Sequence, residues 1–407
     1  RLTRPAPETD PETEMTAHRF ETHEVTNQSP PFENLNLFTT DRPLCEAVQR
    51  EGASWCIGEL TDFGAKVGSA RAFDMGRLAN KHPPELLRYD EKGNRIDRVE
   101  YHPAYHEAMA ISCAAGIHSR PWETGAAAAR GGNQVARLAH LYLMTQVESG
   151  HLCPITMTHA VHPALGLAPE LYASLLPKLT SRAYDATPTP IGRKHSMTVG
   201  MAMTEKQGGT DVRANATTAT PLGRSGTGEA YRLTGHKWFM SAPMSDAFLM
   251  LAQAPGGLSC FFVPRLRDDG TRNALRLERL KSKLGNRSNA SRELELAGAD
   301  AVLIGDEGRG VPVIIQMASL TRLDCAVASA GQMRLAVALA VHHCRHRRVF
   351  QTTLIDQPLM AAVLADMALD VEAATALAFR LARAFDKAAD DAAEAAWARV
   401  MTPVTKY

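Results

Sequence analysis

Met203-Thr204-Glu205-Lys206-Gln207-Gly208-Gly209-Thr210-Asp211 divides the chain. Ahead of it the sequence reads helical; behind it come short apolar runs and then two long helices. An apolar run from Met197 to Met203 leads straight into hydroxyl, charge and two glycines. A strand that ends this way forms a loop whose backbone can approach a flat or anionic ligand. Further on, Lys237-Trp238-Phe239-Met240-Ser241 repeats the idea, with aromatics closed by a hydroxyl. Either stretch alone also reads as a polar loop between strands. Together, in this order, they read as two walls of one ligand site.

Bulk composition narrows the classes. The 407 residues are 45% hydrophobic and 22% charged, the balance of a soluble globular protein with material for more than one domain. A net charge of +1 provides no global field toward nucleic acid or an acidic membrane and leaves only a local patch open. Cys45, Cys56, Cys113, Cys153, Cys260, Cys325 and Cys344 form no C-x-x-C pair. That is thiol usage for a reducing compartment, so a cytoplasmic location is expected. No run of about 18 apolar residues predicts a membrane span, and residues 1–16 lack the apolar segment of a signal peptide. The chain starts without Met and stops at Lys406-Tyr407 inside a helical pattern, so it reads as a fragment.

Taken in order, residues 1–40 read as a flexible arm, 41–190 as an N-terminal α domain, 191–305 as a middle antiparallel β domain, and 306–407 as a truncated α bundle. Asp41 is the expected cap of the first helix, with Pro43 in its first turn. Helical patterns run over 60–78, 105–118 and 126–146, with a turn at Lys92-Gly93-Asn94. His151-Leu152-Cys153-Pro154-Ile155-Thr156 is expected to close a helix, and 171–179 to form another. Strands are expected at 230–234, 247–253, 258–263, 275–280, 293–296 and 301–304, with a hairpin turn at Pro255-Gly256-Gly257. Strands without intervening helices imply an antiparallel sheet or small barrel. Gly305-Asp306-Glu307-Gly308-Arg309-Gly310 does not fit a dinucleotide-binding glycine pattern and reads as a turn between domains. Long helices follow over 311–349 and 358–389, and another begins at Ala393. Met360, Leu364, Met367, Val371, Ala374, Ala378, Leu381 and Phe385 form a bundle seam.

Helical domain, β domain and helical bundle, in that order, resemble the acyl-CoA dehydrogenase flavoprotein superfamily. The 203–211 loop resembles its M-T-E-x-x-x-G-[ST]-D signature, and Phe239-Met240-Ser241 its aromatic-x-[ST] segment. Arg348-Val349-Phe350 resembles its Arg/Phe segment between two bundle helices, one residue short or shifted, and Gln357 with Leu364-Ala365-Asp366-Met367 its Q…L-A-D-M stretch. Glu51-Gly52-Ala53, 83–90, Cys153 to Thr158, Lys206 to Gly209 and Asn286 to Ser291 resemble the AidB-like, adaptive-response subfamily specifically.

The resemblance implies FAD, with Met201, Met203 and Thr204 along the flavin and Gly208 and Gly209 letting the chain turn close to it. It places Thr210 on the pyrophosphate, Phe239 and Met240 beside the ring, and Ser241 near N5. Arg348 and Phe350 would reach a neighbouring subunit's FAD, which implies a homo-oligomer, a dimer or a tetramer, and Gln357 is a further cofactor-binding candidate. Alone, Thr204 and Ser241 also read as turn hydroxyls, Phe239 as core, and Arg348 as a solvated helix end. The family's reaction takes the α-proton and β-hydride from an acyl-CoA. Thr321 occupies one of the two family positions for the carboxylate base, and the other is expected after Tyr407, so no base is assigned. Arg322 is a candidate active-site residue, with a structural ion pair to Asp324 or another acid as the alternative. A second functional reading is a DNA-binding flavoprotein of the alkylation response with marginal dehydrogenase activity, whose DNA-binding region is expected beyond this chain. A third is a structural protein with accidental motifs. The basic run His342 to Arg348 reads chiefly as a solvated helix end; no metal site is expected, since its arginines repel a cation.

Overall fold

The computed structural model describes residues 22–125 and 130–406. They divide into two compact units. The larger comprises Glu33–Leu335 with Ala368–Tyr407, and the smaller Arg1–Phe32 with Ala336–Met367.

In the larger unit, helix α1 (Arg42–Arg50) begins as its sequence dictates. Asp41 accepts the Leu44 N–H at 3.1 Å and Pro43 lies in the first turn. The pattern read as one helix over 60–78 is two, α2 (Ile57–Val67) and α3 (Ala70–Lys81). They break at Gly68, where a Cβ would sit 1.8 Å from the Leu35 carbonyl oxygen, and Ser69 caps α3 by accepting the Ala72 N–H at 3.3 Å. Residues 85–100 are not helical but a hairpin, β1 (Glu85–Tyr89) with β2 (Arg95–Glu100). Pro83-Pro84 lies just past the end of α3 at Lys81, where a helix cannot continue into it, and Asp90 gathers the Lys92 and Asn94 N–H groups at 2.9 and 2.8 Å to turn the chain.

Next come α4 (Pro103–Ala114) and α5 (Asn133–Thr145). The expected start of the latter, at 126–129, lies outside the described residues; the described helix begins after Gly132 at φ +75°. His151 to Thr156 opens a helix rather than closing one: α6 runs Leu152–Ala160. Pro154 stands in its first turn, where an absent N–H leaves no bond unmade. Short α7 (His162–Leu165) and α8 (Pro169–Leu179) follow.

The β region holds β3 (Val199–Ala202), β4 (Thr218–Pro221), β5 (Ala230–Ser241), β6 (Ala247–Ala254), β7 (Gly257–Pro264), β8 (Leu275–Leu280) and β9 (Ser291–Ile304). Pairing runs β6–β4–β5–β9–β7 and back to β6, which closes a small barrel, with β3 added on β6 and β8 on β9. The sheet is antiparallel except that β3 and β4 pair with β6 in parallel. The runs at 293–296 and 301–304 are one strand, interrupted in its pattern by Gly298 (φ +83°), where the register with β5 shifts. Strand β6 is apolar on both faces because both are covered. Phe248 and Met250 face the barrel interior with Tyr231, Phe261 and Leu303. Leu249 and Leu251 face outward against Met157, Leu165, Leu179 and Met317. That outer layer fastens the helical region to the barrel and leaves the ends of β3 and β5 beside α6.

Helix α9 (Gly310–His346), hairpin strands β10 (Arg348–Val349) and β11 (Thr352–Thr353), α10 (Pro358–Lys387) and α11 (Ala392–Lys406) complete the described chain. By length and composition α9 could cross a membrane, but half of that window is buried inside the protein, as in a core helix. On the α10 seam, Val371, Ala378 and Leu381 are buried and Met367 is exposed. Asp386 of α10 accepts the Gln134 and Val135 N–H groups at 2.8 and 3.2 Å, a negative charge on the positive end of the α5 dipole. In the smaller unit the arm has no regular secondary structure over its described residues, yet it is not loose throughout. Asn27 donates to the Arg348 carbonyl and accepts its N–H at 2.9 and 2.7 Å, and His342 Nε2 lies 2.8 Å from the Pro30 carbonyl.

Candidate functional site

A cavity of about 500 Å³ opens in the larger unit where β3 and β5 end beside α5, α6 and α9. That is the size of an ordinary small-molecule site. Its apolar walls are Leu141, Leu152, Met157, Met201, Met203 and Phe239, and its polar groups include Thr145, Thr204, Ser241 and Asn289. Several of these are unspent. Thr145 Oγ1 and Asn289 Oδ1 are buried without a partner, and such groups are uncommon in folded proteins unless something else satisfies them. Burial pushes the Cys153 thiol up, so it lines the cavity as a neutral group.

The loop after β3 is held by a group outside the cavity. Glu205 and Lys237 are both fully buried and bonded at 2.7 Å. Glu205 also accepts the Ala216 and Thr217 N–H groups at 2.7 and 3.2 Å. Burial opposes its ionisation, but the Lys237 ammonium and these N–H groups outweigh it and hold the carboxyl at about 2. Asn215 donates to the Met203 carbonyl at 2.9 Å and the Trp238 N–H to the Thr204 carbonyl at 2.8 Å. Thr204 is thereby fixed by its backbone and its side chain stays on the cavity. Gly209 lies against that side chain: a Cβ there would meet Thr204 Oγ1 at 2.6 Å.

One carboxylate lines the cavity, Asp324. It is committed elsewhere: Arg137, fully buried, binds both its oxygens, and Thr156 Oγ1 donates to one at 2.9 Å. Arg322 makes no ion pair with Asp324; it is exposed on α9 and absent from the cavity lining. Of the other sequence-derived residues, Met201, Met203, Thr204, Phe239 and Ser241 come together in the lining. Gly208, Gly209 and Thr210 form the exposed loop beside it, and the Met240 side chain turns into the barrel core. Arg348, Phe350 and Gln357 belong to the smaller unit. There Phe350 (φ +46°) and Gln351 (φ +70°) form the β10–β11 turn, and Phe350 is 93% exposed. In the basic run, His342, His343 and Arg347 are engaged by residues 27–30, while Arg345 and Arg348 are exposed.

Residue-type reasoning missed Glu205, Lys237, Arg137 and Asp324, because a buried ion pair is defined by two distant positions and neither shows a pattern alone. Two of the subfamily-like stretches line the cavity, one through Cys153, Thr156 and Met157 and the other through Asn286 and Asn289, and the second is held by the residues just ahead of the first. Ser149 Oγ donates to Asn286 Oδ1 at 2.6 Å, and Gly150 leaves room for Ser288, whose Oγ would lie 1.9 Å from a Cβ.

Comparison with known proteins agrees with this geometry. Residues 27–186 match the adaptive response protein AidB N-terminal domain, 200–299 the acyl-CoA dehydrogenase middle domain, and 308–406 the acyl-CoA dehydrogenase C-terminal domain. The chain is 51% identical to AidB of Escherichia coli (strain K12) over 389 residues, 95% of this chain and 70% of that protein. This chain belongs to the acyl-CoA dehydrogenase family, AidB type. It is accordingly an acyl-CoA dehydrogenase-like flavoprotein oxidoreductase. It is also 33% identical to acyl-CoA dehydrogenase family member 11 of Caenorhabditis elegans, over 90% of this chain and 60% of that one. The solved structure of Caenorhabditis elegans ACDH-11 in complex with C11-CoA superposes with a TM-score of 0.84 at 29% identity, covering 95% of this chain and 67% of that one.

Proposed function

We propose that the cavity between β3, β5, α6 and α9 seats the isoalloxazine of FAD, and that the protein oxidises an acyl-CoA or a related thioester. The observation that carries this is the cavity's make-up: an apolar slot of methionines, leucines and Phe239, edged by Thr204 and Ser241 hydroxyls and by the unpartnered Thr145 Oγ1 and Asn289 Oδ1. A flavin ring requires that combination, a flat apolar surface with a few donors and acceptors at its polar edge. When bound, FAD supplies the hydride acceptor. Met201 and Met203 would flank it, Thr204 and Ser241 would hydrogen-bond it, and Phe239 would shield it from water.

Acyl-CoA as the substrate class is supported by the C11-CoA bound to the ACDH-11 relative. Asp324 does not serve as its base, because both oxygens are occupied by Arg137 and Thr156. Arg348 and the solvent-facing Phe350 are suited to a second copy's cofactor, so we read a homo-oligomer. The seven free cysteines accord with a reducing, cytoplasmic setting. The test is flavin titration of the purified chain and of Thr204→Ala with Ser241→Ala. The double variant should bind FAD more weakly by about 1–3 kcal/mol through lost buried hydrogen bonds. Affinity equal to the parent chain, or no visible flavin in either, refutes the assignment.

A further inference from the structure

A second cavity, of about 440 Å³, lies in the same unit and shares no lining residue with the first. The two stand back to back. Cys153 and Ser241 line the flavin-type cavity, and their chain neighbours Pro154 and Ala242 line this one. Ala242 is held at φ +51°, a strained conformation for a residue with a side chain, of the kind that clusters at ligand sites.

The lining combines aromatic rings, Tyr101, Tyr105 and Tyr184, with the charged residues Arg98, Arg265, Glu100, Asp185 and Asp246. Tyr101 stacks on Tyr105 with ring centroids 4.2 Å apart and planes 19° from parallel. Tyr105 is buried and Tyr101 half-buried, and neither phenol hydroxyl has a hydrogen-bond partner among the described residues. Tyr184, by contrast, is bonded to His106 at 2.8 Å. Arg265 on the same lining is 13% exposed, and its Nε donates to the Ser245 carbonyl at 3.1 Å. The nearest carboxylate, Asp246, is 3.9 Å away and already bonded to Lys194 at 2.8 Å and to the Thr198 N–H at 2.9 Å. The terminal nitrogens of Arg265 are therefore unspent, and Ser245 Oγ beside them is buried without a partner. The other charges on the lining are matched locally: Arg98 pairs with Glu100 at 2.6 Å, and Asp185 is bonded by Thr187 at 2.5 Å. The Arg265 guanidinium thus has only the long 3.9 Å ion pair to a carboxylate shared with Lys194, and its planar fork suits a further carboxylate.

We propose that this second cavity binds a small aryl carboxylate, its ring against the Tyr101–Tyr105 pair and its carboxylate on Arg265. The site is independent of the flavin assignment, and neither its ligand nor its test requires FAD. The experiment is calorimetric titration of the chain with benzoate and phenylacetate, and with benzamide as the neutral isostere. The carboxylates should bind at least tenfold more tightly than benzamide. Arg265→Gln should abolish that preference, Tyr101→Leu, which removes the stacking face of a half-buried ring, should weaken binding severalfold, and Thr204→Ala should change nothing. No binding by either carboxylate, equal binding of benzamide, or unchanged affinity in folded Tyr101→Leu or in folded Arg265→Gln would each overturn the proposal. Loss of benzoate binding in Thr204→Ala would overturn it too, by moving the ligand into the first cavity.

Discussion

Lys237→Met removes the cation from a pair in which both partners are fully buried, and the cost can be worked two ways. The Glu205 carboxyl is held at about 2, against about 4.3 when unfolded, and at 1.36 kcal/mol per unit that is about 3 kcal/mol at neutral pH. Breaking a buried pair by deleting one partner costs about 3–5 kcal/mol. The Ala216 and Thr217 N–H groups remain on the carboxylate in the variant, so the lower figure, about 3 kcal/mol, is expected. Because Glu205 adjoins Thr204, flavin affinity should fall with stability. The pH dependence supplies a signature. A folded-state value below the unfolded one gives stability that is complete above about pH 4.3 and is lost as pH falls toward 2. The parent chain should show that loss, and Lys237→Met should show little of it. Urea unfolding at neutral pH and at pH steps below 5 measures both effects. A variant less stable by no more than about 1 kcal/mol, the worth of an exposed pair, would refute the view that this bond anchors the loop.

Burial holds His118 and His140 at about 4 and His162 at about 3, below about 6.5 in the unfolded chain. The unfolded state therefore takes up protons first, stability is complete above that value, and it should fall by on the order of 4 kcal/mol per pH unit between about pH 6 and pH 4; an unfolding midpoint equal at pH 7 and pH 5 would contradict this. Gly209→Ala would press a methyl group onto Thr204, so FAD affinity should drop about tenfold with little change in the unfolding midpoint, and flavin titration showing parent-like affinity would remove Thr204 from the site.

Much of the fold was legible because it rests on local signals. Asp41 and Pro43 start a helix, Pro255-Gly256-Gly257 turns a hairpin, and the 4-and-3 spacing along α10 is buried at Leu364, Val371, Ala378 and Leu381 though not at Met367. The failures share a cause: each was decided by a distant contact. Gly68 breaks a continuous helical pattern because the Leu35 carbonyl occupies the space a side chain would need. Glu85 to Tyr89 has no clear period, and becomes a strand because Arg95 to Glu100 returns beside it. Gly298 makes one strand look like two, since a bulge interrupts alternation without interrupting pairing. In the site, Thr204 and Ser241 were legible from their loops, whereas Lys237 looked like one more polar residue until the barrel brought it to Glu205.

The cavity also separates two functions that a redox enzyme of this type must combine. A general base needs a free lone pair and a pKa near working pH. Asp324 has neither oxygen free: Arg137 spans both, and Thr156 takes a further lone pair of one. Its geometry is that of a strut joining α5, α6 and α9, the three helices that wall the cavity. The polar atoms left unspent there, Thr204, Thr145 and Asn289, are hydroxyls and an amide, which bind and orient but do not take a proton at neutral pH. These residues are suited to seat the proposed cofactor and substrate, and the proton acceptor of the proposed reaction would be a group that does not line this cavity. The same reasoning bears on the second cavity. Its wall continues directly from Ser241 through Ala242, so a ligand held by Arg265 would sit one peptide bond behind a hydroxyl assigned to the flavin. A change in the strained Ala242 backbone would then be felt on both sides.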